Sequence, residues 1–256
     1  MAVDAVPQPR PLSRSRLRQT VKFLLPLLAL LVIWQASVAL LGVNPRVFPD
    51  VPTVLSAGWK TILDGSLLTH AGASLLRVLV GTLLAIALAV PLGITMGVSK
   101  GISTFLAPPL RFFSVLAGIA WIPIATLWFG YGFGAITFVI FNASTIPMPL
   151  RHAAASLGTN RWQMLTQVLL PGALPNIVTG IRTGLGFAWR GLIAAEMIAT
   201  NTGLGYMLFL ARDFYRTEVI VFAMIVIGII WLLLDRLLLA PLERRTIERW
   251  GMVQQS

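Results

Sequence analysis

The chain carries no charged residue between Phe112 and Leu150, and this uncharged run most restricts what it can fold into. A membrane-spanning helix needs about 20 apolar residues, so the run is too long for one span and about long enough for two. The glycines of the sequence WFGYGFG fall near its middle and indicate a turn. We therefore expect two antiparallel spans, at about residues 105–128 and 133–150.

Other uncharged runs predict four more spans. Only 11% of the residues are charged and 57% are apolar, whereas soluble domains carry about 25% charged residues. The further spans are expected at about 23–42, between Arg77 and Lys100, at 174–200 and at 219–239. The sequence thus predicts an all-α membrane protein with six transmembrane helices. The amphipathic piece PTVLSAGWKTIL, after the first span, is expected along the outer membrane surface.

The basic residues indicate how the chain is oriented. They cluster before the first span and after the last, as expected when both termini are cytoplasmic. We divide the chain into a basic cytoplasmic segment (1–22), a transmembrane domain (23–240) and a cytoplasmic tail (241–256). The net charge of +11 does not indicate nucleic-acid binding, because no basic stripe interleaved with aromatic residues is present.

Enzyme motifs do not fit this topology. The sequence GVSKG (97–101) matches G-x-S-x-G, but a nucleophile elbow needs a strand-to-helix turn and a histidine partner. No G-x-x-x-x-G-K-[ST] sequence is present, so the chain cannot hold a nucleotide in a P-loop. We predict a non-catalytic chain, without a metal or cofactor of its own.

The polar segment HAAASLGTNRWQMLTQVLLPGALP (152–175) lies on the cytoplasmic side of the predicted topology. Its apolar residues Leu157, Trp162, Leu165 and Val168 recur at helical spacing. The sequence Gly-Thr-Asn at 158–160 indicates a turn between two short helices. A partly apolar helix outside the membrane needs a surface to contact, so we expect a partner protein here.

This segment resembles the EAA signature of ABC-importer permeases, which reads Glu-Ala-Ala, three residues, Gly, nine residues, Ile, one residue, Leu-Pro. Five residues match and Val168 takes the Ile position, whereas His152 stands where the family has Glu. The matching residues are Ala153, Ala154, Gly158, Leu170 and Pro171. Residues 70–81, 119–132, 171–189 and 192–208 look like one branch of these permeases, the nitrate, sulfonate and taurine group.

The resemblance implies a MetI-like ABC permease fold in the bacterial cytoplasmic (inner) membrane. It implies a homodimer on two ABC ATPase subunits that bind ATP and Mg, with a periplasmic or extracellular solute-binding protein. It also implies a coupling helix at about 153–170 that contacts the ATPase. The expected coupling residues are Ala153, Ala154, Gly158, Arg161, Trp162, Leu165, Val168, Leu170 and Pro171.

The substrate class that the resemblance implies is a small anion, such as a sulfonate, taurine, nitrate or bicarbonate. The alternative substrate class for an importer of the same fold is an aromatic acid or a pyrimidine-type nutrient. The alternative function is an ion channel, which would need no ATPase.

Charges inside the fifth span mark a candidate translocation path, because a charge in mid-membrane costs about 2.5–3.5 kcal/mol on insertion scales. Arg182, Trp189 and Glu196 are seven residues apart and share one stripe, and Arg190 lies about 80° from Arg182. Arg190 could offer an anion site or could pair with Glu196 or with a carbonyl of the partner subunit. Glu196 and Arg77 are expected near outer helix ends, where they could pair with each other.

Small residues at G-x-x-x-G spacing predict close helix packing at Gly93, Gly97 and Gly101, and at Gly180 and Gly184.

Overall fold

The computed structural model describes residues 14–42, 44, 47–116, 118–130, 132, 134, 136–137 and 170–242. The predicted coupling segment lies outside them except for Leu170 and Pro171, and so does nearly all of the predicted span 133–150. Every regular element in the described ranges is helical. The helices are α1 (Arg14–Leu41), α2 (Val51–Leu63), α3 (Ser66–Val98), α4 (Lys100–Val115), α5 (Ile122–Phe129), α6 (Leu170–Ala199), α7 (Leu204–Asp213) and α8 (Thr217–Leu234).

Two described helices are long and apolar enough to cross a membrane, at Ser66–Met96 and Thr217–Leu242. A third span is formed if α6 and α7, which meet at a bend of 47°, count as one broken span. The apolar part of α1, Leu28–Leu40, is shorter. The spans expected after Arg77 and at 219–239 are thus present as helices, while the total of six stays a prediction.

The prediction of one helix over 105–128 is wrong. Ser99 caps the start of α4 by accepting a hydrogen bond from the Ile102 backbone N–H at 3.4 Å. The helix ends at Val115, because Leu116 has an extended backbone (φ −73°, ψ 118°). A 3₁₀ turn at Gly118–Trp121 then leads into α5, where Pro123 stands in the first turn and suits a helix start. This region therefore contains two helices and a break.

The piece predicted to be amphipathic forms α2. Asp50 caps it by accepting from the Thr53 N–H at 3.2 Å. Its buried residues Val54, Ala57, Gly58 and Thr61 recur at helical spacing and face α8. A side chain at Gly58 would collide with the ring of Phe222 on α8, so glycine lets α2 and α8 approach closely.

Helix α6 lies at the centre of the described core. Its residues Leu185, Ala188, Leu192 and Ala195 are buried among side chains of α3, α7 and α8. Spacings of three and four residues place them on one face. By contrast, no described atom lies within 4 Å of a Cβ built at Gly93 or Gly101, so no described part of the chain packs closely against these two glycines.

Candidate functional site

Glu196 is the most buried charged residue among those described, and three groups donate hydrogen bonds to its carboxylate. Arg77 on α3 donates from Nη1 to Oε1 at 2.7 Å. The Ser74 hydroxyl lies 2.9 Å from Oε1 and 2.8 Å from Oε2, and the Gly205 N–H donates to Oε2 at 3.1 Å. The exposed fraction of the Glu196 side chain is 0%. Burial of a charge is tolerated when it is paired and hydrogen-bonded in this way.

The same α3 residues hold the turn between α6 and α7. Arg77 donates to the Thr202 carbonyl oxygen at 2.8 Å, to Thr202 Oγ1 at 2.6 Å and to Thr200 Oγ1 at 3.2 Å. The Leu204 N–H donates to Ser74 Oγ at 2.9 Å. We call this network of Ser74, Arg77, Glu196 and the turn 200–205 the buried anchor.

Two glycines make the buried anchor possible. Gly203 has φ +116°, and a side chain there would collide with the Glu196 carboxylate. A side chain at Gly205 would collide with the Ile193 carbonyl oxygen. The Gly203 N–H also donates to His70 Nδ1 on α3 at 3.1 Å. Only glycine lets this turn approach Glu196 so closely.

Arg182 lies on the same stripe of α6 as Glu196, and it pairs with Asp235 at the end of α8. Its Nε donates to Asp235 Oδ1 and its Nη2 to Oδ2, both at 3.0 Å. This is the two-pronged geometry in which arginine binds carboxylates most strongly. The exposed fractions of the side chains are 40% for Arg182 and 23% for Asp235. We call this contact the α6–α8 pair.

The two remaining residues of the predicted path face in different directions. Trp189 is 4% exposed and lies in the core with Leu185 and Leu192. Arg190 is exposed and forms no ion pair with any described residue. The alternative in which Arg190 pairs with Glu196 is wrong, because Arg77 occupies that carboxylate.

Arg190 shares its face of α6 with residues that the sequence did not single out. Thr179, Thr183 and Phe187 are also exposed, and at 100° per residue all four fall within about 80° of one another. An arginine in a membrane helix usually faces other helices or a water-filled cavity, because its charge is costly to place in lipid. The described geometry therefore gives α6 one buried face and one exposed polar face.

The sequence pointed to part of this site. Arg77 and Glu196 do pair with each other, as the sequence allowed. Ser74, Thr200 and Thr202 were missed, and the polar sequence TNTGLG beside an apolar span was the available signal for them. Leu170 and Pro171 begin α6. The other seven coupling residues lie outside the described ranges, and the assignments to coupling and to a path stay predictions.

Comparison with known proteins extends over nearly the whole chain. Residues 23–246 match the family described as the binding-protein-dependent transport system inner membrane component. The chain is 35% identical to the taurine transport system permease protein of Escherichia coli, over 93% of this chain and 92% of that one. It is 32% identical to the putative aliphatic sulfonates transport permease protein of Escherichia coli, over 87% and 89%. It is also 36% identical to the riboflavin transport system permease protein of Chloroflexus aurantiacus, over 88% of each.

Proposed function

The chain belongs to the family of binding-protein-dependent transport system inner membrane components, and on that premise we propose that it is the permease of an ABC importer for a small anion of the sulfonate, taurine, nitrate or bicarbonate class. The observation that carries this proposal is the similarity to the taurine permease over 93% of the chain. The aliphatic sulfonates permease supports the same class. An anion carrier needs a positive group on its path, and the exposed Arg190 supplies one.

We assign the path to the exposed face of α6 that carries Arg190. A guanidinium binds a sulfonate or nitrate group through paired hydrogen bonds. The Thr183 hydroxyl already donates to the Thr179 carbonyl oxygen at 2.9 Å, so towards a substrate it would act as an acceptor. Arg190 is therefore the principal anion-binding group of this proposal. Arg182 and Glu196 hold the helix that carries it, and Trp189 packs behind it.

The complex that we propose contains two copies of this chain in the bacterial inner membrane, two ATPase subunits and a solute-binding protein. Because the chain has no P-loop sequence, ATP and Mg must be bound by the ATPase subunits. We place the contact with the ATPase at about 153–170, directly before α6. The six spans and the cytoplasmic termini are part of the same proposal, supported by the basic residues at both ends.

Reconstitution in proteoliposomes tests this function. The chain would be purified with its ATPase and solute-binding protein, and uptake of labelled taurine, an alkanesulfonate and nitrate would be measured. We expect accumulation that needs ATP and the binding protein. Equilibration of the anion without ATP would instead show a channel and would contradict the proposal.

An organic nutrient with an aromatic ring is the second candidate substrate, and similarity to the riboflavin permease favours it. Calorimetry of the solute-binding protein with taurine and with riboflavin separates the two. Binding of riboflavin without binding of any of the anions would replace the proposed substrate class and leave the importer assignment intact.

A further inference from the structure

The α6–α8 pair differs from the buried anchor in how far its side chains are exposed and in its place along α6. Both hold the same helix, yet Glu196 is fully buried, whereas Arg182 and Asp235 are 40% and 23% exposed. At 1.5 Å per residue, Arg182 lies about 21 Å along α6 from Glu196. It lies about 18 Å from Leu170, where α6 begins. The pair is thus the charged contact on α6 nearer to the segment 151–169.

Asp235 stands at a change of helix type. From Asp235 to Leu239 the chain forms a π turn, in which the Ala240 N–H donates to the Asp235 carbonyl oxygen. A π turn holds one more residue per hydrogen-bonded ring than an α-helix and often marks a functional position. Conversion of such a turn to α-helix would rotate the residues around it. Asp235 therefore lies where the helix geometry changes from α to π.

We propose that the Arg182–Asp235 pair opens and re-forms during the transport cycle, and so passes movement of the segment before α6 on to α8. This inference rests on the proposed function, because it takes residues 153–170 as the contact with the ATPase. A partly exposed ion pair can separate at a lower cost than one that is fully buried. The buried anchor cannot do so, and it keeps the other end of α6 on α3.

The test is the number of ATP molecules hydrolysed per substrate molecule imported by the full complex in proteoliposomes. Asp235→Asn keeps the size of the side chain and removes its charge. We expect it to raise this ratio about fivefold or more, the lower end of typical coupling between sites. The charge-swapped variant Arg182→Asp/Asp235→Arg is expected to return the ratio towards the wild-type value.

Glu218→Gln is the matched control. Glu218 is also a carboxylate on α8, 30% exposed, and lies 3.9 Å from Arg216 at the opposite end of that helix. We expect Glu218→Gln to hydrolyse the same number of ATP molecules per imported substrate molecule as the wild type. An unchanged ratio in Asp235→Asn, with uptake normal or reduced in step with ATP hydrolysis, would overturn the proposal, because a merely structural pair lowers the amount of complex and not its coupling.

If the Asp235→Asn complex does not assemble, Arg182→Lys provides a second test of the same ion pair. Lysine keeps the charge and loses the two-pronged geometry, so we expect an intermediate ratio. A wild-type ratio in Arg182→Lys would also contradict the proposal. Absence of import by the wild-type complex would contradict the proposed function itself, whereas normal wild-type import with unaltered variant ratios would contradict this inference alone.

Discussion

The buried anchor and the α6–α8 pair are both arginine–carboxylate contacts on one helix, and they differ in what surrounds them. In the buried anchor, Glu196 also accepts from Ser74 and Gly205, and Arg77 is shared with the turn 200–205. In the α6–α8 pair, both side chains are partly exposed, at 40% and 23%. Breaking a buried pair by removing one partner costs about 3–5 kcal/mol, while exposed pairs contribute about 0–1 kcal/mol. Similar chemistry therefore gives two different contacts at the two ends of α6. The buried anchor stays closed, and we call it the fixed joint. The α6–α8 pair can open, and we call it the adjustable joint.

Glu196→Ala should have the largest effect on stability. It leaves the Arg77 guanidinium buried without its carboxylate, which costs about 3–5 kcal/mol. We expect a strongly reduced melting temperature in detergent and little assembled complex on size-exclusion chromatography. A melting temperature equal to that of Asp235→Ala would remove the difference between the two joints.

Gly203→Ala should come second. The new methyl group meets the Glu196 carboxylate, and the φ of +116° is unfavourable for alanine. Gly65→Ala is a control for a positive φ alone, since Gly65 has φ +73° and no described atom lies within 4 Å of a Cβ there. Alanine in the left-handed region of Gly65 costs about 1–2 kcal/mol. Gly203 (φ +116°, ψ 163°) lies in a region that is essentially restricted to glycine, so the larger fall in melting temperature of Gly203→Ala combines a greater backbone strain with the collision. Equal falls would mean that the turn does not press against Glu196.

Arg182→Ala should lower stability less than Glu196→Ala does, because both side chains of the α6–α8 pair are partly exposed whereas Glu196 is fully buried. The melting temperature of the purified chain is again the measurement. A fall as large as that of Glu196→Ala would show that the α6–α8 pair is also a fixed joint.

Arg190→Ala should leave stability unchanged, since Arg190 is exposed and pairs with no described residue. We expect it to raise the anion concentration for half-maximal uptake about tenfold or more, as a charge-assisted hydrogen bond is lost. Arg190→Lys should restore part of the affinity. Uptake with wild-type affinity in Arg190→Ala would exclude Arg190 from the anion site.

Local patterns predicted the helices better than the contacts between them. Hydropathy located α3 and α8, and helical spacing located α2, because both signals are contained in short stretches of sequence. The break after Val115 was missed, since an uncharged run does not show where its backbone becomes extended. Nothing in the sequence singled out Asp235, which follows an apolar run and finds Arg182 only after α6 and α8 pack.

Part of the site could be predicted because a charge inside a span must find a partner, and this drew attention to Arg77, Arg182 and Glu196. The sequence did not decide which charges pair, because Arg77 and Glu196 lie 119 residues apart. The exposed face of α6 also needed the structure, since only the observed burial separates Arg190 from Trp189 beside it.

The most direct test measures melting temperature and ATP hydrolysed per substrate imported in the same preparations of Ser74→Ala and Asp235→Asn. Ser74→Ala leaves the buried Leu204 N–H unpaired, which costs about 1–3 kcal/mol. The account predicts a lower melting temperature with a wild-type ratio for Ser74→Ala, and a nearly unchanged melting temperature with a raised ratio for Asp235→Asn. If both variants change the same quantity, or if the two effects are reversed, the division of α6 into a fixed and an adjustable joint is contradicted.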